Sequence, residues 1–467
     1  MTVSALRFPI IATFRAPRIS RVALILFFWL LPFHSLIIAL LFGYFGMSAN
    51  LARAIAAWKE AAIVVLLFWV IIRSLSGRGR QTAVISTDIA VGGLLVLAIV
   101  SLLIADPLFH ASIPVGAELY GFRDSFFFML LYFIGRSMPE LAESETVIKH
   151  SYYLALIVSV VGIVERIFVT PDMLVLLGVA SYMNDFLGLA AYTSNNVYGL
   201  PANYWTDMGG VAVRRSGSVF LHSQGFALPF LFLMPAASAW ALSRKRSHPH
   251  VVRFGYVLIW AGLLTSITRM TTVICVIQVV LFYLMMRRPE WALGSVATAL
   301  GAIAITVVVV PGLMHFVWET LSWQTGSNAS HARDWGAGLL AVLEQPWGHG
   351  VGTTDSAPLR FLREPLSADS MYLSYGVQLG VLGLFTFLAM IGGILAASWR
   401  GAWTAVTDTR RRFFAVIALA GLGIFLNGVT SVVFSSNLFA YVFFLCAGAA
   451  MTAVSESPAS SGLSIKG

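Results

Sequence analysis

The stretch Ile89-Ala90-Val91-Gly92-Gly93-Leu94-Leu95-Val96-Leu97-Ala98-Ile99-Val100-Ser101-Leu102-Leu103-Ile104-Ala105 contains no charged residue and a single hydroxyl. A run of this kind approaches the roughly 20 residues that cross a hydrocarbon core as a helix. Lipid offers backbone amides no hydrogen-bond partner, so a spanning segment must satisfy them internally, and a helix does so. Comparable runs cover Val22 to Tyr44 and Leu293 to Val310. The whole chain points the same way: 467 residues, 58% hydrophobic, only 11% charged, mean hydropathy +0.83, where a soluble fold carries about 25% charged residues. Alternating segments of about ten residues, which would build a membrane β-barrel, are absent. The sequence therefore predicts an all-α, polytopic transmembrane helix bundle.

By the length criterion of about 20 residues there are about twelve spans. They fall near 22–44, 55–73, 87–105, 117–136, 150–169, 217–241, 252–268, 270–286, 292–310, 371–397, 414–434 and 438–454. The first apolar run, preceded by Arg7, Arg15, Arg18 and Arg21, is too long for a signal-peptide core and has no small-residue cleavage site, so it reads as a retained helix. Cys275 and Cys446 both fall inside predicted spans, as small apolar packing residues rather than a disulfide framework. A pI near 9.7 does not signify nucleic acid here, because the cations are dispersed over short connections. Alternate connections carry Arg73, Arg78 and Arg80; Arg136 and Lys149; Arg244, Lys245, Arg246 and Arg253; Arg287 and Arg288; Arg400 and Arg410 to Arg412. By the positive-inside rule both termini lie in the cytoplasm. One integral membrane domain covers 1–454, followed by a Ser- and Gly-rich tail, 455–467, expected to be disordered and cytoplasmic.

Two long connections remain for the outer side, 170–216 and 311–370, rich in Gly, Pro, Asn, Trp and Tyr. Loops longer than about 15 residues are where binding and catalysis concentrate. In the second, between the ninth and tenth spans, Ser330 can cap an amphipathic helix with Trp335, Leu339, Leu340, Val342 and Leu343 on one stripe, ended by Pro346 and the turn Gly348-His349-Gly350-Val351-Gly352. That helix is expected to lie along the outer surface of the bundle.

Of the 30 Lys and Arg, about ten fall on the outer half: Arg53, Lys59, Arg123, Arg166, Arg214, Arg215, Arg269, Arg333, Arg360 and Arg363. Arg53, Lys59 and Arg166 read as snorkelling helix-end residues, with Glu165 a partner for Arg166, and Arg360 and Arg363 as solvated loop residues. Arg123, Arg214, Arg215, Arg269 and Arg333 each adjoin a span or the amphipathic helix. An unpaired guanidinium in hydrocarbon costs about 2.5 to 3.5 kcal/mol on the lenient insertion scale, so these either pair with Asp124, Asp207 or Asp334 or converge on an anion. The planar fork of arginine suits the oxygens of a phosphate.

The chain resembles the O-antigen ligase-like family, which comprises O-antigen ligases and polymerases of bacterial surface polysaccharide. The resemblance rests on Gly121-Phe122-Arg123 before an aromatic span ending Gly135-Arg136, on Arg214-Arg215-Ser216-Gly217-Ser218-Val219-Phe220, and on the break Thr268-Arg269. It continues through Arg333-Asp334-Trp335, Pro346 with the glycine turn, and Asp369-Ser370-Met371-Tyr372-Leu373 running into Gly380-Val381-Leu382-Gly383. The family implies a membrane glycosyltransferase at the periplasmic face of the bacterial inner membrane. It would move a glycan from undecaprenyl diphosphate to a glycan or lipid acceptor, with no nucleotide sugar, cofactor or metal. A chain-length regulator is a partner class that polymerases of this kind take. Ligases carry His-Asn where this chain has Asp369-Ser370, which tilts the expectation toward a polymerase, with ligation to lipid A core as the alternative. A transporter or flippase for an anionic lipid-linked solute would use the same arginines, but no internal repeat supports it.

The departing diphosphate gains negative charge, and preorganised cations stabilise it most in the transition state. Arg214 or Arg215, together with Arg269, are the expected catalytic cations, with Arg333 and Arg123 as further diphosphate contacts. Asp369 is the positional candidate for the base that deprotonates the acceptor hydroxyl; it would alternatively cap the next helix. His331 and His349 are the other candidate bases.

Overall fold

The computed structural model describes residues 12–13, 18–76, 80–109, 113–189, 198–200, 204–208, 211–243, 248–309, 318, 322, 326–354, 361, 366 and 369–455. The architecture is a helix bundle, with strands confined to two short antiparallel ribbons, β1 (Ala12–Thr13) with β2 (Arg80–Gln81) and β3 (Trp205–Met208) with β4 (Val211–Arg214). The helices that matter below are α1 (Leu24–Tyr44), α2 (Ala49–Leu75), α3 (Ser86–Phe109), α4 (Val115–Ser125), α5 (Leu130–Arg136) and α6 (Thr146–Phe168). They continue with α7 (Ser223–Ala241), α8 (Pro249–Thr265), α9 (Arg269–Met285), α10 (Pro289–Val309), α11 (Gly326–Glu344), α12 (Met371–Thr404), α13 (Asp408–Asn427) and α14 (Asn437–Ser455).

Among the described residues, seven helical stretches are long and apolar enough to cross a membrane: α1, α2, α3 through Ile104, α6, α7, α12 and α14. Of the other five expected spans, the ninth is the apolar helix α10, 21 residues long, whose side chains from 302 to 309 lie outside the described residues, and the remaining four correspond to shorter, broken or more charged helices. The fourth is split into α4 and α5 by a 3-10 turn at Phe127–Met129, and α8 and α9 have 17 residues each. The layering follows from burial. In α7 and α14, 83% of the apolar window is buried, so these are inner helices, whereas α2, at 22%, turns most of its apolar surface outward. An inner helix needs apolar residues all round, and α7 supplies them from Phe230 to Ala239 without a charge. α7 packs on α6, α9 and α13; α14 packs on α5; α12 lies against α13, α3 and α11.

Three expectations change against the structure. Arg136, expected in a connection, is buried at the C-terminal end of α5, where it pairs with Asp88 at 2.9 Å and donates to Thr452 and the Ala83 carbonyl. Tyr132 completes the pair by donating to Asp88 at 2.6 Å. The amphipathic helix begins at Gly326, four residues before its expected cap, so Ser330 lies inside it. Its apolar residues also divide between two faces: Ala341 and Val342 are buried with Val377 of α12, while Leu339, Leu340 and Leu343 are exposed. The first long connection contains short helical turns at Pro171–Leu176, Val179–Ser181 and Tyr182–Phe186 before the β3–β4 ribbon. The tail from 456 onward, Arg78, Arg244, Lys245, Arg246, Arg360 and Arg363, and the side chain of Asp207 lie outside the described residues.

Candidate functional site

Two breaks in the helix pattern bring cations together. Between α8 and α9, Ile267 has φ +49°, a left-handed conformation that a β-branched residue adopts only under strain of about 1–3 kcal/mol. The break frees the Ser266 carbonyl from the helical ladder, and Arg215 takes it. Its Nε donates to Ser266 O at 2.9 Å and its Nη2 to Thr268 Oγ1 at 2.9 Å. α9 then starts at Arg269 with no side-chain cap from Thr268, which turns the positive end of a helix dipole toward the same place.

The second break delivers Arg215. After β4 the chain turns through Ser216, Gly217 and Ser218, and Glu165 of α6 holds that turn, accepting from Ser216 Oγ at 2.6 Å, from Gly217 N at 3.1 Å and from Ser218 N. Ser218 and Leu221 again have positive φ, +49° and +56°. Both hydrogen-bond acceptors of Arg215 are neutral oxygens, and among the described residues no carboxylate pairs with it. Burial, and after it the charge of Arg269, pushes its pKa down to about 10, so the two guanidinium groups are close enough to repel. An anion such as a phosphate between two cations of this kind would relieve both the repulsion and the desolvation.

Arg214, the neighbour in sequence, faces the other way. It donates to the carbonyls of Glu165 at 2.7 Å, Arg166 at 3.2 Å and Val169. These are carbonyls at the C-terminal end of α6, where a cation is favoured by the dipole.

Two of the three base candidates come together within electrostatic reach of Arg269. His331, one turn into α11, places Nδ1 2.6 Å from Asp369 Oδ2. The carboxylate approaches off the ideal N–H direction, so this is an ion-pair contact rather than an aligned hydrogen bond. The short contact with Asp369 raises the pKa of His331; burial opposes that rise, and so, more weakly, does Arg269, which places Arg269 within electrostatic reach of the pair. Nε2 bonds none of the described residues. Asp369 does not cap α12: that position is Ser370, whose hydroxyl donates to the Gly428 carbonyl at 3.0 Å.

His349 is elsewhere. Its Nε2 lies 2.9 Å from the Ala341 carbonyl, and its loop is a clasp: His349 N donates to Val377 O at 2.7 Å, Gly350 N to Gln378 O at 3.1 Å and Gly352 N to Gln378 Oε1 at 3.0 Å. Gly380, at φ +69° within α12, opens the helix for this loop, and a Cβ there would sit 2.2 Å from the Pro346 carbonyl. Arg333 is exposed on α11 with no partner among the described residues. Arg123 is held in a separate cluster, 2.8 Å from Asp124 and 3.7 Å from Glu60, over the Tyr120 ring at 4.4 Å. Glu60 also pairs at 2.6 Å with Lys59, which is buried rather than snorkelling. Tyr372 donates to the Phe425 carbonyl, Trp205 stacks on Tyr198, and Trp335 lies against His331.

The sequence reading missed the layer behind these groups. Asn427, 2% exposed, donates to Thr271 Oγ1 at 2.9 Å and accepts from Ser431, while the next residue, Gly428, receives Ser370 and Met371 N. One turn thus ties the first turn of α9, behind Arg269, to the segment carrying Asp369. Glu165 was visible as a carboxylate inside a span, which signals function or pairing, but its partner is the 216–218 turn rather than Arg166.

The family model described as O-Antigen ligase matches residues 254–388, a stretch that contains Arg269, His331, Asp369 and the clasp. No curated protein matches the chain. The class this defines is a multi-pass membrane protein of glycan-transfer type, ligase or polymerase. Residues 254–388 belong to the O-antigen ligase-like family, as the motifs on either side of Arg269 indicated.

Proposed function

We propose that the protein transfers an undecaprenyl-diphosphate-linked oligosaccharide to the end of a glycan acceptor at the periplasmic face, extending a surface polysaccharide. The observation that carries the reading is the proximity of two guanidinium groups, Arg215 at the α8–α9 break and Arg269, to a His331–Asp369 contact that feels the charge of Arg269. Two cations held near each other suit a leaving diphosphate; an imidazole held at Nδ1 by a carboxylate suits a hydroxyl that must lose a proton.

In this mechanism the Asp369 carboxylate, 2.6 Å from Nδ1, comes into line with the Nδ1–H once substrate is bound and keeps that tautomer of His331, so that Nε2 accepts the proton of the acceptor hydroxyl. The freed oxygen attacks the anomeric carbon from the face opposite the diphosphate and forms the new glycosidic bond. The bond from that carbon to the phosphate oxygen breaks, and the electron pair leaves with the lipid diphosphate. Arg215, Arg269 and the N-terminus of α9 receive the developing charge, and the anomeric centre inverts. This assigns the proton transfer to His331 and makes Asp369 its orienting partner.

The polymerase assignment rests on Asp369-Ser370 standing where ligases carry His-Asn. The ligase alternative draws support from His331, which returns an imidazole to the site from a different helix. Purified protein incubated with undecaprenyl-diphosphate oligosaccharide should yield longer glycans and free undecaprenyl diphosphate, and binding without bond cleavage would sink the enzymatic reading. In a deletion strain, single repeat units on the carrier or acceptor indicate a polymerase, whereas finished chains absent from lipid A core indicate a ligase.

A further inference from the structure

We infer that the cavity between the α7–α8 and α9–α10 connections is a binding site for the headgroup of an anionic phospholipid. The cavity, of about 300 Å³, is lined by Ala241, Leu242 and Ser243 at the end of α7, Pro249, Val252 and Arg253 at the start of α8, and Arg288 and Trp291 at the start of α10. It lies at the opposite ends of α8 and α9 from the Thr265–Arg269 break, so it is remote from the arginine pair.

Three features make it an anion site with an apolar neighbour. First, the charge is one-sided. Among the described residues of the two connections, 248–253 and 287–291, the cations are Arg253, Arg287 and Arg288 against a single carboxylate, Glu290. Glu290 stands 3.6 Å from Arg288 and offsets it in part, while Arg253 lies over the Trp291 ring at 5.9 Å with no carboxylate partner among the described residues. Second, two helices begin here: α8 at Pro249, where His248 gives no side-chain cap, and α10 at Pro289. Both direct the positive ends of their dipoles toward the arginines. Third, the wall below the cations is Ala241, Leu242 and Val252, and Trp291 is 44% exposed beside them. A tryptophan with one apolar and one wet edge belongs at the level of lipid headgroups. Free phosphate has no use for the apolar wall and the ring; a phospholipid uses both, with its phosphate on Arg253 and Arg288 and its chains against the helix ends.

The test uses the full chain in phosphatidylcholine vesicles doped with brominated phosphatidylglycerol or brominated phosphatidylcholine. Quenching of Trp291 is read as the difference between the wild type and Trp291→Phe. Phosphatidylglycerol should quench at mole fractions roughly thirtyfold lower than phosphatidylcholine, as expected for two basic residues near a membrane surface. Arg253→Gln with Arg288→Gln should abolish the preference, and so should Ser243→Phe, which fills the cavity without changing a charge. Arg410→Gln with Arg411→Gln, two cations away from the cavity, should leave it intact. Equal quenching by the two lipids, a preference surviving the cavity variants, or one lost equally in the Arg410 and Arg411 variant would overturn the inference. Displacement of the lipid by inorganic phosphate would assign the site to free phosphate instead and reject the lipid.

Discussion

At the residue scale, adjacent arginines divide between two tasks because the backbone alternates. Residues 214 and 215 leave β4 on opposite sides, so one guanidinium reaches the end of α6 and the other the α8–α9 break. Arg214→Ala should therefore lower stability, by about 1–2 kcal/mol for the lost charged hydrogen bonds, and leave turnover per folded molecule near normal. Arg215→Ala should lower turnover by roughly 10²–10³ with little change in melting temperature, and Arg215→Lys should recover only part of it, because the fork is lost. Equal loss of turnover in Arg214→Ala and Arg215→Ala would show that the pairing of Arg215 with Arg269 has no special role. The His331–Asp369 contact carries a pH signature. A base works only when neutral, so the rate should rise with pH through the pKa of His331, which Asp369 holds above the ordinary imidazole value. Asp369→Asn removes the charge that raises it. The midpoint of the rate profile should move to lower pH, and the plateau should fall by roughly 10²–10⁴, the range for a positioned base and its orienting partner. An unchanged midpoint in Asp369→Asn would remove the contact from the mechanism.

At the element scale, what the sequence made legible were the breaks; what it hid were the partners. Thr268-Arg269 and the glycine run 348–352 stand out because an apolar helix has no reason to stop there. Nothing in the sequence around Asn427 says that its amide reaches Thr271, 156 positions away. The same holds for His331 and Asp369, whose contact exists because α11 packs on α12 through Val342 and Val377. The start of α11 was misplaced because Ser330, a residue type favoured at caps, stands four residues inside a helix that already begins at Gly326. Asn427 acts through others, so its effect should be read as coupling. Asn427→Ala and Thr271→Val should each lower kcat more than they raise KM, and the double variant should be no worse than the more damaging single one. Thr271→Ser, which keeps the hydroxyl, should restore most of the loss. Additive single effects would leave the buried amide as a packing residue. Gly380→Ala should be more severe, because it meets both a left-handed φ and the Pro346 carbonyl, and release of the clasp would free α11 and with it His331.

At the scale of the whole molecule, composition alone establishes an all-α membrane bundle, but the order of its layers comes from packing. α7 and α14 read as ordinary spans, and their central position follows only from the way α6, α9, α13 and α5 surround them. The positive-inside pattern also sorted Arg136 with the loop cations, although the chain buries it against Asp88. Sidedness therefore merits a direct test, since a site at the Arg215–Arg269 end is periplasmic only if the connections bearing Arg400 and Arg410 to Arg412 are cytoplasmic. The two native cysteines are buried, so single introduced thiols report on a silent background. Arg333→Cys places a thiol on the exposed face of α11, two residues from His331, and Val406→Cys places one in the α12–α13 connection, where the native side chain is 91% exposed. In spheroplasts a membrane-impermeant maleimide should label Arg333→Cys at once and Val406→Cys only after the membrane is opened. The site uses one end of the bundle, so transfer in intact spheroplasts should also persist when the membrane potential is collapsed; a transporter of anionic solute would stall. Labelling in the reverse order would put the arginine pair in the cytoplasm, where no periplasmic acceptor could reach it, and the proposed transfer would have to be abandoned.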